Sequence, residues 1–460
     1  MVFASLPFIF ILLPIFLALD FALRLTEKTT LRNISLFAVS ILFYIWGEVA
    51  NVFLLLGLAF FNYYAGNFIL KSKNPRLVTG IFVALNLAVL IGFKYAYWLI
   101  SLILPDLVSS KPSMPLGISF FTFHAISYLV DIYRRQVAPA KTSLDFLTYF
   151  CMFPHLVAGP IVRFAHVNSD LGTRGPDKDL FAFGLYRFFV GLNKKIIIAN
   201  SVAIIVDYTF SMSSLGKLHF FDAWIGIIAY AVQIYFDFSG YSDMAIGLAA
   251  MAGFRFEENF RRPYSSVNIR DFWRRWHISL SSWLRDYLYI PLGGSKGSKH
   301  ATYINLLLVF FLCGLWHGAD FTFVLWGLWH GMFLILERLP VGRFIDKLPS
   351  TIARVYTTLV VLIGWVFFRA DDFNAAMAYF YNMFTFSIGP VSVVYYTTSI
   401  GALIAGICLC MVPDKWLPAP ESHNPASFSV ASYCLQAVLA VASIVMLLTS
   451  SRNPFIYYNF

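Results

Sequence analysis

The sequence predicts an all-α polytopic membrane protein. Of its 460 residues, 59% are apolar and only 13% are charged, and the mean hydropathy is +0.70; a soluble globular chain carries about 25% charged residues. Apolar runs long enough to cross a bilayer, which takes about 20 helical residues, recur from one end of the chain to the other. The first run, residues 7–23, has no small-residue cleavage site and is followed by further runs, so we expect a retained helix rather than a signal peptide.

The cysteines and the net charge argue against two other kinds of site. Five cysteines lie in apolar stretches without CxxC spacing, which favours buried thiols over disulfides or a metal site; they are Cys151, Cys313, Cys408, Cys410 and Cys434.

The net charge of +10 does not require a nucleic-acid partner, because Lys and Arg of a membrane protein collect in its cytoplasmic loops. We therefore expect membrane lipid, and no nucleic acid, around the chain.

We predict eleven to twelve spans in one transmembrane domain that covers residues 1–460. The expected spans lie at about 7–23, 31–46, 48–70, 77–103, 115–133, 196–212, 221–238, 302–316, 320–338, 351–370, 391–412 and 428–449. Basic residues collect in alternate loops, which places those loops in the cytoplasm; they are Arg24, Lys28, Arg32, Lys71, Lys73, Arg76, Arg134, Arg135 and Lys141. With an even number of spans, both chain termini are then expected outside.

Two segments interrupt this series of spans. Residues 146–163 are apolar but contain Pro154, Gly159 and Pro160, and proline removes a backbone donor. Because unpaired backbone at membrane depth must be buried in protein, we predict a re-entrant element there. Residues 239–300 form a charged, aromatic-rich insertion that is too polar to span simply, and we expect it to face the cytoplasm.

An amphipathic pattern lies within the insertion. Over residues 270–294, apolar side chains recur at helical spacing, and the charged side chains occupy the other face, namely Arg270, Asp271, Arg274 and Arg275. One interpretation is an interfacial helix with snorkelling arginines and tryptophan anchors. The other is that the arginines bind an anionic ligand such as a phosphorylated cofactor, with His277 on the apolar stripe in a chemical role.

The stretch GLWHGADFTFVLWGLWHG, residues 314–331, places His317 and His330 in an otherwise apolar run. On one continuous helix they would lie on nearly opposite faces and about 20 Å apart, and no HxxxH or HExxH pair occurs nearby, so metal catalysis is disfavoured. A buried imidazole stays neutral and can accept a proton as a general base. A structural hydrogen bond is the alternative, and the residues leave both open.

Other catalytic signatures are missing from the sequence. It contains no GxSxG elbow, Walker loop or GxGxxG fingerprint. Asp237 and Asp243 are expected to be partners of the nearby arginines rather than an acid/base pair.

Four ordered motifs and both chain ends carry a family resemblance. The motifs are PLGISFFTFHAISYLVDIYR at 115–134, FPHLVAGPIVR at 153–163, DFWRRWHISLSSWLRDYLYIPLGG at 271–294 and GLWHGADFTFVLWGLWHG at 314–331. Together with the ends MVFASLPFIFILLPIFLALDF and NPFIYYNF, they resemble the membrane-bound O-acyltransferase family, in the bacterial branch that acetylates alginate and related surface polysaccharides. The resemblance covers essentially the whole chain and implies an inner-membrane helical bundle, with re-entrant and interfacial helices, around a central tunnel.

The resemblance also implies roles for particular residues. His317 would be the catalytic histidine, and His277 a second polar residue in the same tunnel. The donor would be cytoplasmic acetyl-CoA, with no bound cofactor or metal, and its nucleotide end would contact the insertion through Arg270, Arg274, Arg275 and Arg285. The acetyl group would pass outward to a separate periplasmic, membrane-anchored esterase-like transferase that acts on the polysaccharide. The roles of His124, where relatives often carry Gln, and of His330 stay open.

The C-terminal tail, residues 450–460, is expected on the extracytoplasmic side, at the mouth opposite the donor. By the same resemblance, Tyr457 would give its phenolic proton to His317 and relay the acetyl group to the partner; anchoring of the tail by Phe455 and Phe460 is the alternative. A transporter or flippase is the rival function, but transporters are often built of two similar halves, and the breaks and charges here cluster in 239–331. The motifs do not distinguish alginate, cellulose and peptidoglycan as acceptors.

Overall fold

The computed structural model describes residues 3–24, 26, 28–104, 114–175, 177–392, 397–412 and 429–449, and the regular elements within these ranges are all helical. The α-helices are α1 Leu13–Arg24, α2 Thr29–Gly47, α3 Val52–Lys71, α4 Pro75–Lys94, α5 Ala96–Ile103, α6 Ile118–Tyr133, α7 Ser143–Cys151, α8 Phe153–Leu156, α9 Phe164–Thr173, α10 Lys178–Asn193, α11 Asn200–Ser214, α12 Phe220–Met251, α13 Ile269–Arg275, α14 Ile278–Leu284, α15 Lys299–His317, α16 Phe321–Leu336, α17 Pro340–Ile345, α18 Ser350–Arg369, α19 Phe373–Phe384, α20 Thr397–Met411 and α21 Val430–Thr449. Three π-helical turns extend this series: Phe8–Leu12 before α1, Lys194–Ala199 between α10 and α11, and Arg285–Tyr289 after α14.

The all-α polytopic prediction is confirmed. Within the described ranges, 8 helices are long and apolar enough to cross a membrane, and α6, α16 and α20 are shorter apolar helices. The predicted first span is formed by the turn Phe8–Leu12 and α1 together. The predicted span 196–212 is part of a longer helix, since α10, the π turn and α11 run without a break as Lys178–Ser214.

Helix α12 forms the centre of the bundle. Its side chains are buried without exception from Ala229 to Met251, and its backbone touches that of α10. A Cβ on Gly191 would lie 2.3 Å from the carbonyl oxygen of Gly240, so only glycine permits this approach. The boundary that the sequence suggested at residue 239 is therefore wrong, because 239–251 continue α12.

The rest of the insertion also differs from the prediction. The expected single interfacial helix is broken at His277 into α13 and α14. Its tryptophans face protein rather than lipid: Trp276 is buried, and Trp283 stacks on Phe123 with 3.9 Å between ring centroids. We call the segment from α13 to α14 the hairpin.

Both ends of the hairpin lie at the predicted cytoplasmic end of the bundle. The backbone N–H of Ile269, at the start of α13, donates to the Glu337 carboxylate at 2.6 Å, beyond the end of α16. The carbonyl of Asp286, after α14, accepts from Arg134 at 3.1 Å, beyond the end of α6. The hairpin is thus re-entrant, with His277 at its innermost turn.

The predicted re-entrant element at 146–163 is confirmed in that it does not form a simple span. It consists of α7, the short α8 and an extended return, and residues 146–162 are all buried. The return reaches the hairpin, because the N–H of Ile161 donates to the hydroxyl of Ser279 at 3.0 Å. The two re-entrant elements therefore meet inside the bundle.

The cysteines follow the prediction in part. All five are free thiols, and Cys151 and Cys313 are buried. Cys408 and Cys434 are exposed, because they lie on the outward faces of α20 and α21, so the expected burial of these two is wrong.

Candidate active site

His317 is the last residue of α15 and is buried among aromatic rings. Its ring centroid lies 4.9 Å from that of Trp316, 5.0 Å from that of Trp326 and 5.1 Å from that of Phe368. The chain turns directly after it, and the Asp320 carboxylate caps α16 by accepting the N–H of Thr322 at 2.9 Å. Asp320 therefore has a structural role, which leaves His317 as the titratable group of this turn.

Lys94 and Tyr95, at the end of α4, hold the end of α15. The buried ammonium of Lys94 donates to the carbonyl of Trp316 and, at 3.4 Å, to that of His317. The Tyr95 hydroxyl donates to the carbonyl of Leu315 at 2.7 Å. The last carbonyls of a helix lack donors within it, and a cation at this end is favourable, so α4 fixes the backbone that carries His317.

The position of Lys94 also orients the site within the bundle. Since α4 begins at the predicted cytoplasmic end, with Arg76 in its first turn, Lys94 and the His317 turn lie towards the opposite, outer end. Lys94 was not among the predicted functional residues, because it lies within the predicted span 77–103. The signal was present, because a lysine alone in an apolar run is a candidate functional residue.

His277 occupies the turn of the hairpin with φ 43°, a left-handed conformation unusual for a residue other than glycine. Its ring is buried, edge-on to Phe238 at 4.7 Å, and 6.3 Å from the ring of Trp316. Burial disfavours the charged imidazolium, so the imidazole is neutral at physiological pH. Backbone strain of this kind persists where the surroundings impose it, and it is common at functional sites.

The surroundings of His277 include a polar cluster that sequence analysis did not find. The Asn259 side-chain oxygen lies 3.1 Å from Nδ1 of His277 and 2.8 Å from the Ser279 hydroxyl. Asn259 is buried and lies 18 residues before the histidine. No local pattern in the sequence indicates this contact, since it depends on how the loop after α12 folds back on the hairpin.

The structure brings His277 and His317 to the same indole, that of Trp316, although 40 positions separate them in the sequence. His330 lies one ring further away: it contacts Trp326 at 5.3 Å, and its Nδ1 accepts from Trp273 Nε1 at 3.3 Å. His317 and His330 belong to separate helices, as the predicted spans 302–316 and 320–338 imply, because α15 ends at His317 and α16 begins at Phe321. In the part of the chain that the structure describes, no group of three potential metal ligands occurs.

The four predicted donor-binding arginines do not converge. Three of them pair with carboxylates. Arg270 binds Glu337 at 3.6 Å and Asp346 at 3.5 Å. Arg275 binds Asp271 at 2.9 Å, and Arg285 binds Asp286 at 2.7 Å. Arg274 is exposed and forms no ion pair with another described residue. Arg285 belongs to a separate cluster near α6, where Asp286 also binds Arg163 at 2.8 Å.

The prediction that arginines pair with the two aspartates is confirmed for Asp243, whereas Asp237 pairs with a lysine, and these partners lie outside the insertion. Asp243 binds Arg187 and Lys194, both at 2.6 Å, and Asp237 binds Lys195. These pairs join α12 to the long helix before it, so they are structural.

Two other predicted or open positions can be placed. His124 is buried in α6 with its ring 4.4 Å from that of His155, and the His155 Nε2 lies 2.7 Å from the carbonyl of Tyr149. This pair is separate from the contacts of His317 described above. Tyr457 and the tail that carries it lie outside the described residues.

Comparison with known proteins agrees with this architecture. The membrane-bound O-acyltransferase family matches residues 118–369. This range contains α6, the hairpin with His277, and His317 at the end of α15. The chain is 38% identical to a probable alginate O-acetylase AlgI of Pseudomonas putida, with 100% of each chain covered. It is 32% identical to a peptidoglycan O-acetyltransferase of Helicobacter pylori, over 98% of this chain and 96% of the relative.

A more distant similarity covers part of the chain. The chain is 31% identical to a teichoic acid D-alanyltransferase of Bacillus subtilis, over 48% of this chain and 59% of the relative. Together with the full-length similarities and the helical bundle, these matches establish the relationship. The chain belongs to the membrane-bound O-acyltransferase family and is a multi-pass O-acyltransferase of the bacterial inner membrane.

Proposed function

We propose that the protein takes acetyl from cytoplasmic acetyl-CoA and passes it outward for O-acetylation of a cell-surface polysaccharide. The names of the alginate and peptidoglycan relatives support an acetyl group and a polysaccharide, and the higher identity to the alginate relative favours an alginate-like acceptor. The observation that carries the proposal is the meeting of His317 and His277 at Trp316. One histidine is held from the outer end of the bundle, and the other from the predicted cytoplasmic end.

In the proposed reaction, His317 acts as the general base. Its imidazole takes the proton of an acceptor hydroxyl while the oxygen attacks the thioester carbonyl carbon. The C–S bond then breaks, the acetyl ester forms, and the thiolate leaves with the proton that His317 had taken. The aromatic rings around His317 exclude water, which limits hydrolysis of the thioester, and His277 orients a reacting group.

The donor would enter at the end of the bundle where the hairpin begins. Of the proposed donor-binding residues Arg270, Arg274, Arg275 and Arg285, only Arg274 is exposed and without an ion pair to another described residue. A free guanidinium suits a phosphate group, so we assign Arg274 the main contact. The other three would act by shaping the entrance through their ion pairs.

The acceptor side involves the tail and a partner. We propose that Tyr457 receives the acetyl group and passes it to a periplasmic, membrane-anchored transferase. A phenol has a pKa near 10, so beside a base it is a reasonable nucleophile, and its ester is activated enough to pass acetyl to a serine.

The test is acetyl transfer by the purified protein in lipid nanodiscs with radiolabelled acetyl-CoA. A general base contributes typically about 10²–10⁴-fold, so His317→Ala should lower turnover by at least about 100-fold with a normal yield of folded protein. His277→Ala should also be severely impaired. His330→Ala, which removes an imidazole packed on the same Trp326, is the matched control and should be milder.

Two results would overturn the proposal. Wild-type transfer by well-folded His317→Ala would remove the base. In sealed vesicles, movement of acetyl-CoA or glycan across the membrane without a new ester would instead indicate a transporter.

A further inference from the structure

Asn259 is buried in the loop between α12 and the hairpin, and its side chain is fixed at both ends. Its Oδ1 faces Nδ1 of His277 at 3.1 Å, the backbone N–H of Ser279 at 3.2 Å and the Ser279 hydroxyl at 2.8 Å. Its Nδ2 donates to the Ser242 hydroxyl at 3.1 Å. Its backbone carbonyl accepts the N–H of Ile278 at 2.9 Å, so the loop is held against the hairpin independently of the side chain.

The backbone N–H of Ser279 decides which end of the Asn259 amide is the oxygen, because this N–H can only donate. A backbone N–H has no acceptor capacity, so the Asn259 atom that faces the N–H of Ser279 is the oxygen. The Ser279 hydroxyl already accepts from Ile161 at 3.0 Å, which leaves its own hydrogen for the same oxygen. Because this oxygen cannot donate, the Nδ1 of His277 that faces it must carry a hydrogen.

We propose that Asn259 is a positioning residue that holds His277 in the Nδ1–H tautomer, so that Nε2 presents a lone pair to the reacting groups. The Nε2 atom is buried and has no hydrogen-bond partner among the described residues. In this neutral tautomer, Nε2 of His277 accepts a hydrogen bond from an O–H or N–H group of a bound substrate and cannot donate one to it. The inference rests on the proposed role of His277 in acyl transfer.

The division of work between the two histidines follows from this tautomer. An Nε2 lone pair can orient a substrate hydrogen, but it cannot protonate a departing thiolate. That proton must come from elsewhere, and in the proposed reaction it comes from His317. His277 is then a fixed acceptor, and its contribution depends on the tautomer being uniform.

The direct test is nitrogen NMR of the full-length protein, labelled with ¹⁵N-histidine, in nanodiscs. The signals of His277 are identified by their loss in His277→Gln. We expect a protonated Nδ1 and an unprotonated Nε2 in the wild type and in Ser242→Ala, the matched control that removes the other partner of the same amide. Asn259→Ala should show a mixture of tautomers. A protonated Nε2 with a bare Nδ1 in the wild type would overturn the inference.

The kinetic test uses Asn259→Asp, which keeps the accepting oxygen and adds a negative charge. A carboxylate beside an imidazole favours the protonated form, so the acid limb of the kcat/KM profile should move up by about 1–3 pH units, while the rate at high pH stays close to that of the wild type. Asn259→Ala should lower kcat by about 10–100-fold, as for other residues that orient a working histidine. Ser242→Ala should keep the wild-type pH profile, which separates tautomer control from a packing role.

The outcomes distinguish this inference from the proposed function. Wild-type kcat and a uniform Nδ1–H tautomer in Asn259→Ala would refute the role of Asn259. Intact acetyl transfer by His277→Ala would refute the role of His277 in the reaction, while the NMR spectrum would still decide its tautomer.

Discussion

Lys94→Met should show how far the activity of His317 depends on the hydrogen bonds that Lys94 donates to the backbone at the end of α15. Methionine approximates the length of the lysine side chain but donates no hydrogen bond. The carbonyls of Trp316 and His317 would lose the ammonium that binds them. Because these carbonyls belong to the last turn of α15, we expect that turn to shift and His317 to move with it.

The size of the effect follows from these contacts. An unsatisfied buried acceptor costs about 1–3 kcal/mol, so two carbonyls give roughly 2–6 kcal/mol. Removing a buried ammonium offsets part of this cost, and we expect a net destabilisation of about 2 kcal/mol. A displacement of about 1 Å in a catalytic group can lower the rate about 100-fold, so kcat should fall by about that factor.

The assay pairs acetyl-transfer kinetics with thermal unfolding followed by tryptophan fluorescence. Tyr95→Phe is the matched control, because it removes one neutral hydrogen bond, at 2.7 Å, from the same helix end; such a bond contributes about 0.5–1.5 kcal/mol. We expect Tyr95→Phe to be less impaired than Lys94→Met in both measurements. Lys94→Met with the kcat and melting temperature of the wild type would refute the idea that α4 positions His317.

Three further predictions concern other parts of the molecule. Arg274→Gln should raise the KM for acetyl-CoA several-fold with little change in kcat, because only ground-state binding is lost, and an unchanged KM would count against donor binding. Its control is Arg275→Gln, which breaks an internal ion pair and should instead lower the yield of folded protein. Tyr457→Phe should abolish acetylation while Tyr458→Phe is tolerated, and full activity in the first variant would eliminate the relay. Gly327→Ala places a Cβ 2.1 Å from a backbone carbonyl of α15, so it should lower the melting temperature; an unchanged melting temperature would show that the helices can separate at little cost.

The spans were predictable from the sequence, because lipid selects apolar residues over whole helices. Segments whose polar residues bind distant partners were not predictable. Ser242 and Asp243 made the end of α12 look like an insertion, yet Ser242 binds Asn259 and Asp243 binds Arg187 and Lys194. The cost of burying these groups is met by contacts that no local window of sequence contains.

The candidate site was predictable in its histidines but not in its geometry. His317 and His277 were chosen from motifs and from the rarity of titratable groups in apolar runs. The helical periodicity around His277 continues across the residue, so it gave no sign of the left-handed break at φ 43°. Asn259 and Lys94 act through tertiary contacts, with partners 18 and more than 200 positions away, which periodicity cannot detect.

The attachment of α15 to the end of α4 links the site to the lipid around it. Helix α4 buries only one stripe of side chains, namely Thr79, Asn86, Leu90 and Lys94, so most of its surface faces the bilayer. A lipid-facing helix adjusts its tilt when the hydrocarbon thickness changes, and this helix ends on the carbonyls beside His317. We therefore expect the rate of acetyl transfer in nanodiscs to depend on lipid acyl-chain length, with an optimal length. In Lys94→Met the rate should depend less on this length. Bilayer thickness would then affect the position of His317 through α4.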